Sequence, residues 1–204
     1  MYRSPLFCLA LSLAAFSAPA PGGAAAESTP PETVQGLCDA LISAMKQGPE
    51  LGFSGRKRML EPEIRLALNL PLMTRLILGP PWRTLTAEQQ RQMVEAFSEY
   101  SVATYANRFS SYSGERFSVD PSPTRLASGD VIVHSQLKTN DPDPVKLDYL
   151  MREGDGRWQI IDVFLSGTIS ELAARRSEFS SVLRSGGAAA LIDMLRKKAV
   201  ELSG

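Results

Sequence analysis

Residues 147–179 limit the possible folds more than any other stretch. Apolar and polar side chains alternate on either side of Glu153-Gly-Asp-Gly156, and the pattern turns helical after Thr168-Ile-Ser-Glu171. Alternation with period two predicts strands over 145–152 and 157–165, and the glycine turn joins them as a hairpin. Thr168-Ile-Ser-Glu171 has the form of a capping box and predicts a helix running through Phe179 and Leu183. Pairing Arg152 with Arg157 puts Leu147, Tyr149, Met151, Trp158 and Ile160 on one face. The other face takes Lys146, Asp148, Arg152, Arg157 and Gln159, with Ile161 and Val163 as apolar exceptions. A sheet that is apolar on one side only must be covered there by helices.

The rest of the chain supplies both layers. Residues 115–120 and 130–139 also alternate, and they extend the apolar face to Val133 and Leu137. Ahead of them, Val34, Leu37, Leu41, Ile42 and Met45 recur at helical spacing up to a stop at Gly48-Pro49. A second helical pattern over 53–69 is interrupted by Pro62, which predicts a kink or two short pieces. A compact apolar segment, 70–78, ends at Gly79-Pro-Pro81. Thr86-Ala-Glu-Gln89 then opens the clearest helix, which carries Met93, Phe97, Tyr100, Tyr105, Phe109 and Tyr112 on one broad face as far as Gly114. Such a stripe packs against a sheet or lines a cavity. Ser185-Gly-Gly187 breaks the next helix. A last one follows, with Leu191, Ile192, Leu195 and Ala199 inside and Arg196, Lys197 and Lys198 outside. The fold class is α+β: a four-stranded, mainly antiparallel sheet with helices packed over its apolar face.

The start of the chain has the form of a secretion signal, with Arg3, an apolar run over 6–16 and two Ala-x-Ala sites. The run is shorter than the ~20 apolar residues of a membrane span. Cys8, preceded by Leu6 and Phe7, lacks the small residues a lipidation site needs. Residues 1–26 are therefore predicted to be a signal peptide, cleaved after Ala20 or Ala26. Residues 27–204 then form one domain with a flexible Pro/Gly/Ala-rich lead-in to about residue 32. The only later cysteine, Cys38, is predicted to be a buried free thiol. Basic and acidic residues balance at 22 each, which gives no reason to expect a nucleic acid as partner.

Reactive chemistry is sparse. His134, the single histidine, is predicted on the polar face with no triad-like arrangement around it. No metal-ligand spacing and no phosphate loop is present. Asp162 shares parity with Trp158 and Ile160, which predicts a carboxylate on the apolar face. It reads either as an acid or base of raised pKa, alone or with His134, or as a brace that accepts backbone or arginine hydrogen bonds at a chain crossing. The brace is preferred, with Arg175, Arg176 and Glu178 as candidate partners. Arg75, Arg83 and Arg108 read as solvated charges or as the rim of a cavity mouth.

Three segments stand out: Gly79-Pro-Pro-Trp-Arg-Thr-Leu-Thr-Ala-Glu-Gln-Gln90, the stretch Phe97…Tyr105-Ala106…Tyr112-Ser-Gly-Glu115, and Tyr149…Trp158-Gln-Ile-Ile-Asp-Val163…Gly167…Arg176-Ser-Glu-Phe179. Together they resemble the MlaC family, periplasmic lipid-binding proteins also called toluene-tolerance auxiliary proteins. The resemblance runs from about Thr33 to Leu202. Residues 164–179 look closer to the hopanoid-associated HpnM branch. Gly167-Thr-Ile169 and Ala174 stand where the phospholipid branch has a Gly-Val-Ser-type turn and an aromatic residue.

The resemblance implies a non-enzymatic carrier without a cofactor, holding a phospholipid or hopanoid in an enclosed cavity. It also implies partners: an inner-membrane MCE-domain ABC transporter complex and an outer-membrane lipoprotein complex, with only transient membrane contact. A lipid with about 30 methylenes loses on the order of 24 kcal/mol on entering water, so a soluble carrier must enclose it in a dry cavity. Leu72, Leu76, Val94, Phe97, Phe109, Val133, Leu147, Tyr149 and Trp158 are the expected wall. The rival expectations are a small cone-shaped enzyme using Asp162 and a scaffold with no cavity.

Overall fold

The structure, a computed structural model, describes residues 28–203. The expected signal peptide, residues 1–26 with its cleavage points after Ala20 and Ala26, lies outside the described residues. Helix α1 (Pro30–Lys46) starts where Thr29 donates from both its backbone N–H and its hydroxyl to the Glu32 carboxylate, at 2.7 and 2.8 Å. Pro30 and Pro31 occupy positions that need no donor. The lead-in expected to reach residue 32 therefore gives way to helix at Pro30.

Helix α2 (Gly48–Ala67) follows directly and breaks at Gly52 (φ 58°, ψ −176°), not at Pro62. Pro62 and Arg58 are both exposed, so the carbonyl that loses its donor to proline is open to water. Helix α3 (Leu70–Leu78) is capped by Asn69, whose side chain accepts from the Leu72 N–H. A 3₁₀ turn, Pro80–Thr84, leads to the capping box of Thr86 and Gln89 and into α4 (Ala87–Arg108). This helix ends six residues short of Gly114. Buried Arg56 donates to the carbonyls of Ala106 and Gly48 at 2.9 and 3.0 Å. The chain past Phe109 crosses so close to Gly48 that the Ser110 carbonyl fills the space a Cβ there would need. Tyr112 thus leaves the aromatic stripe and lies exposed against Lys46.

Among the described residues the sheet has six strands, two more than expected: β1 (Arg116–Val119), β2 (Thr124–Arg125), β3 (Val131–Lys138), β4 (Val145–Gly154), β5 (Arg157–Leu165) and β6 (Ile169–Ser170). The order is β1-β3-β4-β5-β6, with β2 also on β3, and every pair is antiparallel. Two-residue strands such as β2 and β6 are too short to show alternation. Strand β6 also moves the cap of α5 (Glu171–Glu201) from Thr168 to Ser170, whose side chain accepts from the Ala173 N–H.

Asp155 (φ 51°) and Gly156 (φ 70°) make a two-residue turn that pairs Gly154 with Arg157 and Arg152 with Gln159. This differs by two from the expected register and so preserves parity. One step further on, parity fails. Met151 faces Ile160 but Leu150 faces Asp162, which leaves Ile161 as a β-bulge. Beyond the bulge Val163 and Leu165 join Tyr149 and Leu147 on the apolar face, and Asp162 turns to the other side. The expected placement of Asp162 on the apolar face is thereby overturned, and Val163 is no exception to the pattern.

The core lies between that face and the helices. The segment after α2 is tied to β5, since Asn69 N–H donates to the Ile160 carbonyl at 2.9 Å. Helix α5 breaks at Gly187 (φ 69°). Lys198 therefore reaches back to Glu178 at 2.6 Å, which a straight helix would place ~30 Å away. Lys198, expected to point outward, is half-buried in this pair. No helix among the described residues is long and apolar enough to cross a membrane.

Candidate functional site

A pocket of about 170 Å³ lies between the apolar sheet face and the helices. Its floor is Phe117 on β1, Leu147 and Tyr149 on β4, and Val163 and Leu165 past the bulge on β5. Helix α4 supplies one wall at positions 97, 100, 101, 104, 105 and 108, the spacing of a single helix face, and Phe109 just past its end adds to it. Met73 and Ile77 of α3 lie opposite, and Leu41 of α1 contributes at the inner end.

The more exposed end carries charge. Arg108, Glu171 and Arg175 line it, and Glu171 lies 3.4 Å from Arg108 and 3.7 Å from Arg175. Arg175 also stands 5.0 Å from the centroid of the Tyr100 ring and donates to a Tyr100 hydroxyl at 2.6 Å. Arg175 also meets Glu178 at 3.3 Å, and Glu178 holds Lys198 at 2.6 Å, so three cations stand against two carboxylates and the mouth keeps one positive charge in excess. Deeper in, burial pushes the Tyr149 phenol well above its ordinary value. The Cys38 thiol, 3.9 Å from that hydroxyl, is pushed up to about 12 by burial, against the smaller opposing effect of the Tyr149 contact. Both stay neutral near neutral pH.

Of the nine side chains expected at the wall, Phe97, Phe109, Leu147 and Tyr149 line this pocket. Val133 is fully buried behind Tyr149, its partner across β3 and β4. Trp158 is on the apolar face but borders a separate pocket with Leu37 and Ala67 of α1 and α2. Leu72 and Leu76 are each one residue off the pocket-facing side of α3, which Met73 and Ile77 occupy. The Asn69–Ile160 hydrogen bond and the Asn69 cap fix that roll. Val94 lies one turn before the lining positions of α4 and is half-buried. Arg108 lines the mouth, whereas Arg75 and Arg83 are exposed elsewhere. Phe117, Val163 and the Glu171–Arg175 pair were missed. Phe117 carried the signal of an alternating strand, and Val163 was hidden by the bulge.

Asp162 is a brace. One carboxylate oxygen accepts from the N–H groups of Val163 (2.8 Å) and Leu172 (3.0 Å), the other from the Ser170 hydroxyl (2.5 Å). It ties β5 to the start of α5 at the crossing. Its proposed partners are engaged elsewhere: Arg175 at Tyr100 and Glu178, Arg176 at the Leu76 carbonyl, and Glu178 at Lys198. His134 points to the polar face, but it is not without partners. Its Nδ1 lies 2.8 Å from Asp148 and its Nε2 3.1 Å from the Thr124 hydroxyl. This Asp–His–Thr string depends on β2, and it stands on the side of the sheet away from the apolar pocket. Among the described residues no group of three His, Cys, Asp or Glu side chains is placed to hold a metal ion.

The family model for the MlaC protein matches residues 35–197. This chain belongs to the MlaC family. Among solved structures, the MlaC-family chain is similar to the phospholipid-binding protein from Ralstonia solanacearum, which was determined in complex with a phospholipid. The TM-score is 0.74 and the identity 23%, over 87% of this chain and 100% of the other. At that identity the likeness is one of fold. It places the helices and antiparallel sheet of this MlaC-family protein in an architecture that another sequence also adopts.

Proposed function

We propose that this protein is a periplasmic lipid carrier. It takes the aliphatic part of a phospholipid or a hopanoid-type lipid against Phe97, Phe109, Leu147 and Tyr149, with Val133 packed behind them. With a phospholipid, the anionic headgroup sits at the mouth, where Arg108 and Arg175 exchange Glu171 for a phosphate oxygen. The carrier shuttles its lipid between the inner and outer membranes as the accessory binding protein of an ABC lipid-transport system. It meets an inner-membrane MCE-domain transporter complex at one end and an outer-membrane lipoprotein complex at the other. Membership of the MlaC family supports the periplasmic setting.

The observation that carries this reading is an apolar pocket with a positively biased mouth, set in a fold shared with a protein whose structure contains a phospholipid. A concave, mostly apolar site with a few polar groups at one end is the form a ligand pocket takes. The closeness of residues 164–179 to the hopanoid-associated branch keeps a polycyclic cargo in the proposal. Organic extraction of the purified mature protein, followed by mass spectrometry, tests it. A stoichiometric phospholipid or hopanoid supports the carrier and names the cargo. Lipid-free protein from cells rich in both lipids counts against it.

A further inference from the structure

The inner pocket, at about 170 Å³, is smaller than the roughly 300–1,000 Å³ usual for a site that encloses a ligand. A second apolar space of about 560 Å³ lies on the far side of one layer of side chains. It is a groove between the end of α3, the 3₁₀ turn and α5, lined by Leu78, Pro81, Leu85, Leu183 and Ala188 among others. Ile77 borders both spaces. Beside it Phe179 borders the groove, and the two rings it meets edge-on border the pocket: Phe97 with centroids 6.3 Å apart and Tyr100 at 6.5 Å. Phe179 is almost wholly buried where it separates the two spaces, and the edge-to-face contacts that hold its ring there are individually weak.

The groove has a charge preference of its own. Among the described residues Arg176 and Arg184 line it and no carboxylate does. Arg176 is held in place by donating to the Leu76 carbonyl at 2.5 Å. Its neighbour Arg175 lines the inner pocket, so successive arginines of α5 serve the two spaces.

We propose that this groove is a second subsite, taking one aliphatic chain of an anionic lipid whose remaining apolar part fills the inner pocket, with Phe179 as the side-chain partition that turns aside between them. The proposal rests on the lipid-carrier reading. It adds that a two-chain lipid needs both spaces, whereas a one-chain lipid needs only the first.

The first test uses the unaltered protein. Vesicles of phosphatidylcholine are doped with a phosphatidylglycerol bearing a diazirine at the end of one chain, and crosslinked residues are mapped after irradiation. Labels are expected both in the inner pocket, at Phe117 or Leu147, and in the groove, at Leu85, Leu183 or Ala188. Labels confined to the inner pocket would overturn the proposal. The second test fills the groove with Ser180→Trp or, separately, Leu183→Trp. Affinity for diacyl phosphatidylglycerol should fall at least about tenfold, because each methylene left in water weakens binding severalfold. Binding of lysophosphatidylglycerol, with its single chain, should be essentially unchanged. Equal retention of both lipids, or equal loss of both, contradicts the second subsite. If the unaltered protein takes up neither lipid, the phospholipid form of the carrier reading fails and the second subsite with it.

Discussion

The two faces of the sheet are held by different kinds of interaction. On the covered face Val131, Val133, Tyr149, Met151 and Ile160 are almost wholly buried, and their attraction to the helices is non-directional. On the outer face the contacts are specific pairs. Arg152 grips Asp130 with two bonds of 2.8 and 2.7 Å, His134 meets Asp148, and Asp162 gathers three donors. Directional bonds fix which strand lies beside which and how β5 passes into α5. Apolar packing fixes only which face is covered, and it leaves a pocket at one end. The pocket wall is thus braced from behind by groups that take no part in it.

Truncating the covered face should have the largest effect. Met151→Ala removes a fully buried side chain, and a loss of about 2–5 kcal/mol in chemical denaturation is expected. Asp162→Asn comes next, at about 1–2 kcal/mol, because it gives up the charge in three hydrogen bonds while keeping an acceptor. The folded fraction should bind lipid as before. Lost binding with unchanged stability would show that Asp162 serves the site and would break the division between the faces.

The smallest effect is expected for Asp130→Asn. Arg152 holds the Asp130 carboxyl below its ordinary value of 3.8, outweighing the effect of burial. Since Arg152 is largely exposed, solvent screening limits the pair to about 1 kcal/mol or less. The folded-state value is the lower one, so the contribution is fully present above about pH 3.8 and disappears as pH falls through the folded value. Acid unfolding curves of the native protein and Asp130→Asn should therefore converge at low pH. A gap that persists there would give the aspartate another role.

Much of this was legible in the residues. The hairpin, the apolar parity of Leu147, Tyr149 and Met151, and the Thr86–Gln89 cap all follow from local pattern, and local pattern is what a sequence displays. Features set by distant contacts were not. The bulge at Ile161 is one residue in a ladder, and it alone moved Asp162 off the apolar face and Val163 onto it. The end of α4 depends on Arg56 reaching across from α2. Helix α3 presents Met73 and Ile77 because the Asn69–Ile160 bond sets its roll. The Asp148 and Thr124 partners of His134 come together only once three strands are paired.

The central claim is that the inner pocket holds the lipid. Thr104 lines it half-buried, on the α4 wall, where a larger ring would fill the space with little disturbance to the outer face. Native mass spectrometry of the unaltered protein and Thr104→Trp, purified side by side from the same cells, addresses the claim directly. The account predicts a lipid-mass adduct on the unaltered protein and, at an unchanged thermal midpoint, about a tenfold drop in occupancy for the variant, since displaced methylenes return to water. Equal occupancy in the two proteins would contradict it.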